Sequence, residues 1–454
     1  MKKMKYGVFS LAMVLFLAAC STSGDKSQES SKPVEDKSPI KLIAPEDTSM
    51  LTANCKKYID DMREQEKDLD DPFKYNDLYE LDESDKFIEG SAVNIDEENS
   101  KRNPRIAEED RIYLDKGDPE GKNQSRGKNQ SRGTIPNRSD RNTGIELKFN
   151  VEEGFEAEEY KVLVADNEDF DNAVELVAKN NQANIDNLFV NTEYYWKVVA
   201  DDNEESAVGT FTTGDYPRWI SARPLYNVRD NGGYMTYSGK RVKQGLVYRG
   251  GEITSTSTSG HYNTIAESSK QVFRDVMKIG FELDLRGSGD IYDGYKACAF
   301  AEDGDIEYEM HTIKSYEETF TRTRSEVAPI FEILKNADKK PVYYHCFGGA
   351  DRTGTLGFLL NGVLGVSYTD LVIDFELTSY SSIDNEHIRC HIPGFQHSYD
   401  RWPALINQLK TDTTGGYAWD DDALLMDNIE NFLVKACSVP QSTIDTIRDI
   451  MLED

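Results

Sequence analysis

Pro341 to Tyr344 is an unbroken apolar run, and it leads through His345-Cys346-Phe347-Gly348-Gly349-Ala350-Asp351-Arg352-Thr353-Gly354 into a stretch where Leu356, Leu359, Leu360, Val363 and Leu364 recur at helical spacing. An apolar run of that length suits a strand covered on both faces, and the recurrence that follows suits a buried helix. Strand, glycine loop and helix in direct succession commit this part of the chain to an α/β fold with a central sheet flanked by helices. Upstream, Phe281, Leu283 and Leu285 form one face of a short strand, which places Asp284 and Arg286 on the other. Val327, Ile330, Phe331 and Leu334 repeat the helical spacing, with Ser325 available as N-cap. The pattern runs from about 215 to the end, so we assign 215–454 to this α/β domain.

The 454 residues leave room for a second domain ahead of it. Between 144 and 214, Ile145, Leu147, Phe149 and Val151 alternate with polar residues, as do Tyr160, Val162 and Val164, and Val208 to Thr213 closes the segment. Tyr194 follows Leu188 by six residues across a turn-prone Asn191. That spacing is similar to the tyrosine corner of β-sandwiches, where the hydroxyl bonds back to upstream backbone. The segment 105–214 resembles a fibronectin type III sandwich, which implies a spacer or a docking surface for a partner.

Lys2, Lys3 and Lys5 precede an apolar run from Val8 to Leu17, too short to span a membrane, that ends Leu17-Ala18-Ala19-Cys20. This resembles a bacterial lipoprotein signal rather than an ordinary secretory one. The resemblance implies removal of 1–19, lipid on Cys20 and a protein exported to the bacterial cell envelope and anchored to its membrane. Residues 20–40 then read as a flexible tether, and 41–104 holds one helix near Leu51 to Glu64 with no role assigned. GKNQSR occurs twice in tandem over 121–133 and reads as an exposed polar loop.

Asp plus Glu number 82 against 52 Lys plus Arg, a net charge of −30 that excludes nucleic-acid binding as the main task. The six cysteines, at 20, 55, 298, 346, 390 and 437, show none of the close pairs of a structural metal site. With Cys20 lipidated and Cys346 reactive, the other four are either two disulfides in one of three pairings or buried thiols.

The loop itself carries the chemistry. A turn from strand to helix start points successive N–H groups inward, and the helix dipole adds positive potential. Gly348 and Gly349 permit the backbone angles and the close approach this needs. Arg352 lies six positions after Cys346, so its planar fork can bond two phosphate oxygens from across the loop. The same surroundings favour a thiolate nucleophile at Cys346.

Cysteine, five residues and arginine is the signature of cysteine-dependent phosphatases, and further motifs narrow the likeness. Asn227-Val228-Arg229-Asp230-Asn231-Gly232-Gly233-Tyr234, then Tyr248-Arg249-Gly250-Gly251-Glu252, then Asp284-Leu285-Arg286, and Ser438-Val439-Pro440 before a final helix stand in order. Over about 215–454 the chain resembles the bacterial tyrosine/serine and lipid phosphatase family. The resemblance implies a two-step reaction without metal or other cofactor: Cys346 as nucleophile, and Phe347, Gly348, Gly349, Ala350, Asp351 and Arg352 around the phosphate. It implies Asp351 as acid and base, with Asp284 as the alternative or as a residue that orients the loop. Thr353 is expected to donate to the Cys346 sulfur, and His345 to fix the loop rather than act as a base. Asp290, Asp303 and Asp305 are expected to be surface charges. Relatives acting on phosphoinositides often carry Lys where this chain has Ala350, which favours phosphotyrosine here, although Lys314, Arg322 and Arg324 offer charge from elsewhere. The expectation is a lipid-anchored phosphatase of phosphotyrosine, and of phosphoserine or phosphothreonine, on protein or peptide substrates. The alternatives are a phosphoinositide or inositol-polyphosphate phosphatase, and a surface protein that binds phosphorylated ligands with little turnover.

Overall fold

The computed structural model describes residues 38–68, 143–201, 204–222, 225, 227–253, 267–287, 306–315, 317–378 and 422–453. The signal at 1–19, Cys20, the tether up to 37, the repeat at 121–133, Cys298, Cys390, Asp290, Asp303 and Asp305 lie outside the described residues.

Strand β1 (Ile40–Ile43) pairs antiparallel with β2 (Ile145–Val151), and β2 with β5 (Gln182–Ile185). A second antiparallel sheet runs β4 (Val174–Val177), β3 (Tyr160–Ala165), β6 (Glu193–Ala200) and β7 (Gly209–Thr212). Every second residue of β2 and β6 is buried, so Ile145, Leu147 and Phe149 share one core with Tyr194, Trp196 and Val198. The Tyr194 hydroxyl accepts a hydrogen bond from the Phe189 N–H at 3.0 Å, the upstream bond that its spacing predicts. This sandwich draws its first strand from residues ahead of 105, inside the stretch with no assigned role.

A helix from that stretch serves the other module. Helix α1 (Ala53–Asp68) places Cys55, Ile59 and Met62 on one face, and with Leu51 just ahead of it they share an apolar core with Trp219, Tyr234, Tyr368 and Val372. Arg63 anchors the far end, bonding Asp370 at 3.0 Å and the Asp215 carbonyl at 2.7 Å. The α/β region is therefore completed by a helix that lies in sequence between β1 and β2 of the sandwich.

The central sheet has the order β11-β10-β12-β9-β8. Strands β9 (Val247–Gly250), β10 (Phe281–Asp284), β11 (Glu307–Met310) and β12 (Val342–His345) are parallel, and β8 (Arg229–Asp230) lies antiparallel along β9. All four residues of β12 are buried, as the apolar run requires. The described α-helices of this region are α2 (Glu267–Gln271), α3 (Glu317–Arg322), α4 (Val327–Leu334), α5 (Asp351–Leu364), α6 (Tyr368–Glu376), α7 (Asp422–Asn431) and α8 (Gln441–Met451). The expected cap of α4 is corrected. A 3-10 turn over Arg324–Glu326 leads straight into the helix, so Ser325 sits inside that turn and Glu326 takes the cap position without a side-chain bond. Cys55 and Cys437 are buried, and among the described residues neither forms a disulfide.

Polar contacts join the two modules. Gln244 pairs with both the N–H and the carbonyl of Val190, at 2.8 and 3.0 Å. Arg218 bonds the carbonyls of Asn187 and Leu188, stacks over the Phe189 ring and holds Asp230 at 2.8 Å.

Truncating Ile59 to Ala leaves a cavity between α1 and the α/β core, so the unfolding free energy of that module should fall by about 2–5 kcal/mol. Denaturant unfolding checks this; an unchanged midpoint would mean that α1 merely rests on the surface.

Candidate active site

Each peptide unit is planar, with its C=O and N–H pointing in opposite directions, so fixing a carbonyl also fixes the next residue's N–H. The loop after β12 uses this four times in a row. The Cys346 carbonyl accepts from His345 Nδ1 at 3.1 Å, and the Phe347 carbonyl from the Glu252 N–H at 3.0 Å. Asn227 Nδ2 donates to the carbonyls of Gly348 and Gly349, both at 3.1 Å, and Arg249 Nη2 adds a bond to Gly349 at 3.0 Å. With those carbonyls tied to surrounding structure, the N–H groups of Phe347, Gly348, Gly349 and Ala350 turn the other way. Among the described residues, the amides of Gly348, Gly349 and Ala350 make no hydrogen bond.

The loop runs directly into α5, whose N-cap, Ala350, supplies no side-chain bond. The dipole and the first-turn N–H groups of a fourteen-residue helix therefore add to the same concave, anion-seeking surface. Cys346, 4% exposed, stands at the start of this cradle. Gly349 has φ +67°, and a Cβ there would run into the Gly250 carbonyl and the Gly251 nitrogen, so no other residue fits. Asp351 and Arg352 occupy the first turn of α5 and are half-buried, with Arg352 Nη1 3.5 Å from the Leu285 carbonyl. Phe347 is half-buried beside Gly348, Gly349 and Ala350, which are buried.

Three expectations meet particular geometry. Thr353 is fully buried and its hydroxyl has no hydrogen-bond partner, so the donation to the Cys346 sulfur is not made in this structure. Asp284 is gripped by Arg286, with Nε to Oδ1 at 2.9 Å and Nη2 to Oδ2 at 2.7 Å, and it also accepts from the Tyr308 hydroxyl at 3.0 Å. Burial alone would raise its pKa, but His345 and Arg286 outweigh that and hold the carboxyl below its ordinary value. This pairing suits the other role expected of Asp284, orienting the strand end beside the loop, better than that of a proton donor. Lys314, Arg322 and Arg324 are exposed, and Arg322 lies 3.7 Å from Glu318.

His345 faces two acceptors, the Cys346 carbonyl through Nδ1 and Glu282 through Nε2 at 2.9 Å. Burial alone would lower its pKa, but the charge of Asp284 and the bond to Glu282 carry it above the ordinary histidine value. It is fully buried and bonds the Cys346 carbonyl, the loop-fixing contact expected of it.

The residues that shape the loop were quoted in the sequence only as parts of motifs, and Asp374 was not singled out. Asp374 lies between Arg229, with Nε to Oδ1 at 3.2 Å, and Arg249, whose Nη1 bonds Oδ2. Burial would raise its pKa, but the two guanidiniums hold it down. One signal was present: a carboxylate at position 374 inside the apolar series Leu371, Val372, Ile373 and Phe375 can be buried only with cationic partners. Among the described residues no group of three or more His, Cys, Asp or Glu is placed to hold a metal ion.

Because the His345 pKa is raised on folding, its stabilisation is complete below the unfolded value of about 6.5 and is lost as pH rises through the folded one. The melting-temperature gap between wild type and His345→Gln should therefore narrow as pH increases above about 6.5. Thermal unfolding across that range checks it; a gap independent of pH would show that His345 is not held charged.

A search of curated proteins found no match. A model of the tyrosine phosphatase family matches residues 220–453, from the segment before β8 to the end of α8, and so takes in Asn227, Arg249, Cys346, Arg352 and Asp374 alike. With more than half of the chain inside that match and the anion cradle at its centre, the protein belongs to the tyrosine phosphatase family.

Proposed function

We propose that the protein hydrolyses phosphate monoesters through a phosphocysteine, with phosphotyrosine in protein or peptide as its substrate and phosphoserine or phosphothreonine as weaker ones. The observation that carries this reading is the row of outward-tied carbonyls, which leaves the Gly348, Gly349 and Ala350 N–H groups without partners among the described residues, beside Cys346. Such pre-set donors stabilise charge that builds on the equatorial oxygens of the transferring phosphoryl group, and they need no reorganisation when it arrives.

In the first step the Cys346 thiolate attacks phosphorus, the S–P bond forms and the bond to the leaving oxygen breaks. The Asp351 carboxyl gives its proton to that oxygen. In the second step the Asp351 carboxylate takes a proton from water, whose oxygen attacks phosphorus and breaks the S–P bond. Inorganic phosphate leaves and both groups are restored. Arg352, on the same helical turn, grips two of the non-bridging oxygens throughout. Ala350, buried where relatives acting on phosphoinositides carry Lys, supports the monoester over multiply charged head groups.

The same reading includes export and lipid attachment at Cys20, which rests on Leu17-Ala18-Ala19-Cys20 behind a basic, apolar start. It also includes a fibronectin type III-like module as the spacer or docking element, supported by the three- plus four-stranded sandwich and its Tyr194 corner.

Phosphate release from phosphotyrosine peptide, phosphoserine peptide and a phosphoinositide tests the chemistry. Phosphotyrosine should turn over fastest, Cys346→Ser should abolish release, and Asp351→Asn should lower kcat by roughly a hundred- to ten-thousand-fold. A preference for the phosphoinositide would move the substrate to lipid, and binding without turnover by reduced protein would make it a receptor for phosphorylated ligands. In a bacterial host, Cys20→Ser should shift the protein from the membrane to the soluble fraction; unchanged partitioning would remove the lipid anchor.

A further inference from the structure

Asn227 holds two of the loop carbonyls, and its own orientation is set from behind, since Arg229 Nη1 bonds Asn227 Oδ1. Arg249 holds the Gly349 carbonyl a second time. Both arginines end on one carboxylate. Asp374 takes Arg229 Nε on Oδ1 and Arg249 Nη1 on Oδ2, its backbone carbonyl accepts Arg229 Nη2 at 2.8 Å, and the Tyr234 hydroxyl donates to Oδ1 at 3.2 Å. Arg229 and Arg249 are fully buried and Asp374 nearly so, which removes the solvent screening that would weaken these bonds.

We infer that Asp374 is the positioning residue of the phosphate cradle, acting through Arg229 to Asn227 and through Arg249, and that the two-to-one charge ratio leaves a buried positive charge behind the loop that favours a bound phosphate. The charge count is direct, since two guanidiniums face one carboxylate. The orientation follows from the donors: Asn227 can turn its NH2 toward Gly348 and Gly349 only while its oxygen is held, and Arg229 holds it. Rotating that amide would put an oxygen against two carbonyls and release both peptides. Helix α6, which carries Asp374, thereby sets the shape of a loop twenty-odd residues earlier in the chain. This inference rests on the phosphate-ester reading of the loop.

The test compares the full-length wild type with Asn227→Ala, Asp374→Asn, their double variant, and Ile447→Ala, a core truncation in α8 that lowers stability elsewhere. Each is assayed for thermal unfolding, for inhibition by inorganic vanadate, for stabilisation by orthophosphate, and for kcat and KM. The expected result is vanadate and orthophosphate binding weakened by roughly tenfold or more in both single variants, with kcat falling more than KM rises. The double variant should be no worse than Asp374→Asn, because both act along one chain of bonds. Ile447→Ala should lose melting temperature and keep its oxyanion affinity. Native oxyanion affinity and kcat in folded Asn227→Ala and Asp374→Asn would overturn the inference. If Asp374→Asn does not fold, Asn227→Ala and Arg229→Lys decide alone. A wild type that binds orthophosphate without turnover would sink the catalytic reading yet leave this comparison intact, and one that binds neither oxyanion would sink both.

Discussion

Behind the active loop, one carboxylate between two guanidiniums sits where water does not reach. Burying three charges is costly, and the arrangement survives because nearly every donor is spent on an acceptor: Asp374 itself, its backbone carbonyl, the Asn227 oxygen or the Gly349 carbonyl. The cluster draws β8, β9, the loop and α6 to a single relative placement. Apolar packing alone would tolerate small shifts among these elements, whereas hydrogen bonds of fixed length and angle do not. The catalytic surface thus inherits its precision from polar groups that never meet substrate.

The surroundings of that cluster reach well beyond it. One helical turn before Asp374, Asp370 receives Arg63 from α1, so the N-terminal helix braces the element that carries the key carboxylate. Next to Arg229, Asp230 receives Arg218, whose other nitrogens bond carbonyls of the sandwich. Both ends of the N-terminal region therefore attach within a residue or a turn of the loop's supports. A load on the sandwich has a short, bonded path to the site, which a freely hinged spacer would lack.

On the opposite side of the loop, His345, Glu282, Asp284, Arg286 and Glu252 form a second buried set of charges. It fixes the Cys346 carbonyl from one flank, while the Glu252 N–H fixes the Phe347 carbonyl. The cradle is thus held from two sides by charged groups of opposite balance, with the positive excess on the Asp374 side.

Local pattern carried a good deal of this. The apolar run 341–344, the helical recurrence after 354, the alternation in 145–149 and the bond made by Tyr194 are all consequences of short-range spacing, and each element lies where its spacing places it. Ser325 failed as a cap because a 3-10 turn, which the side-chain pattern does not encode, precedes α4. Thr353 and Asp284 depended on rotamers and ion partners that only packing selects. The strand at 40–43 went unread, and the helix near 51–64 was read without a role, for a different reason: their partners lie more than a hundred residues away, in two different modules. Local spacing was enough to place β12 and α5 and to single out Cys346 and Arg352 as candidates, because strand, loop and helix follow one another directly in the chain. Tertiary structure decided which way the loop's peptides face, since that is set by Asn227, Arg249 and Asp374, and a hydrogen bond between residues so far apart in the chain exists only once the chain has folded.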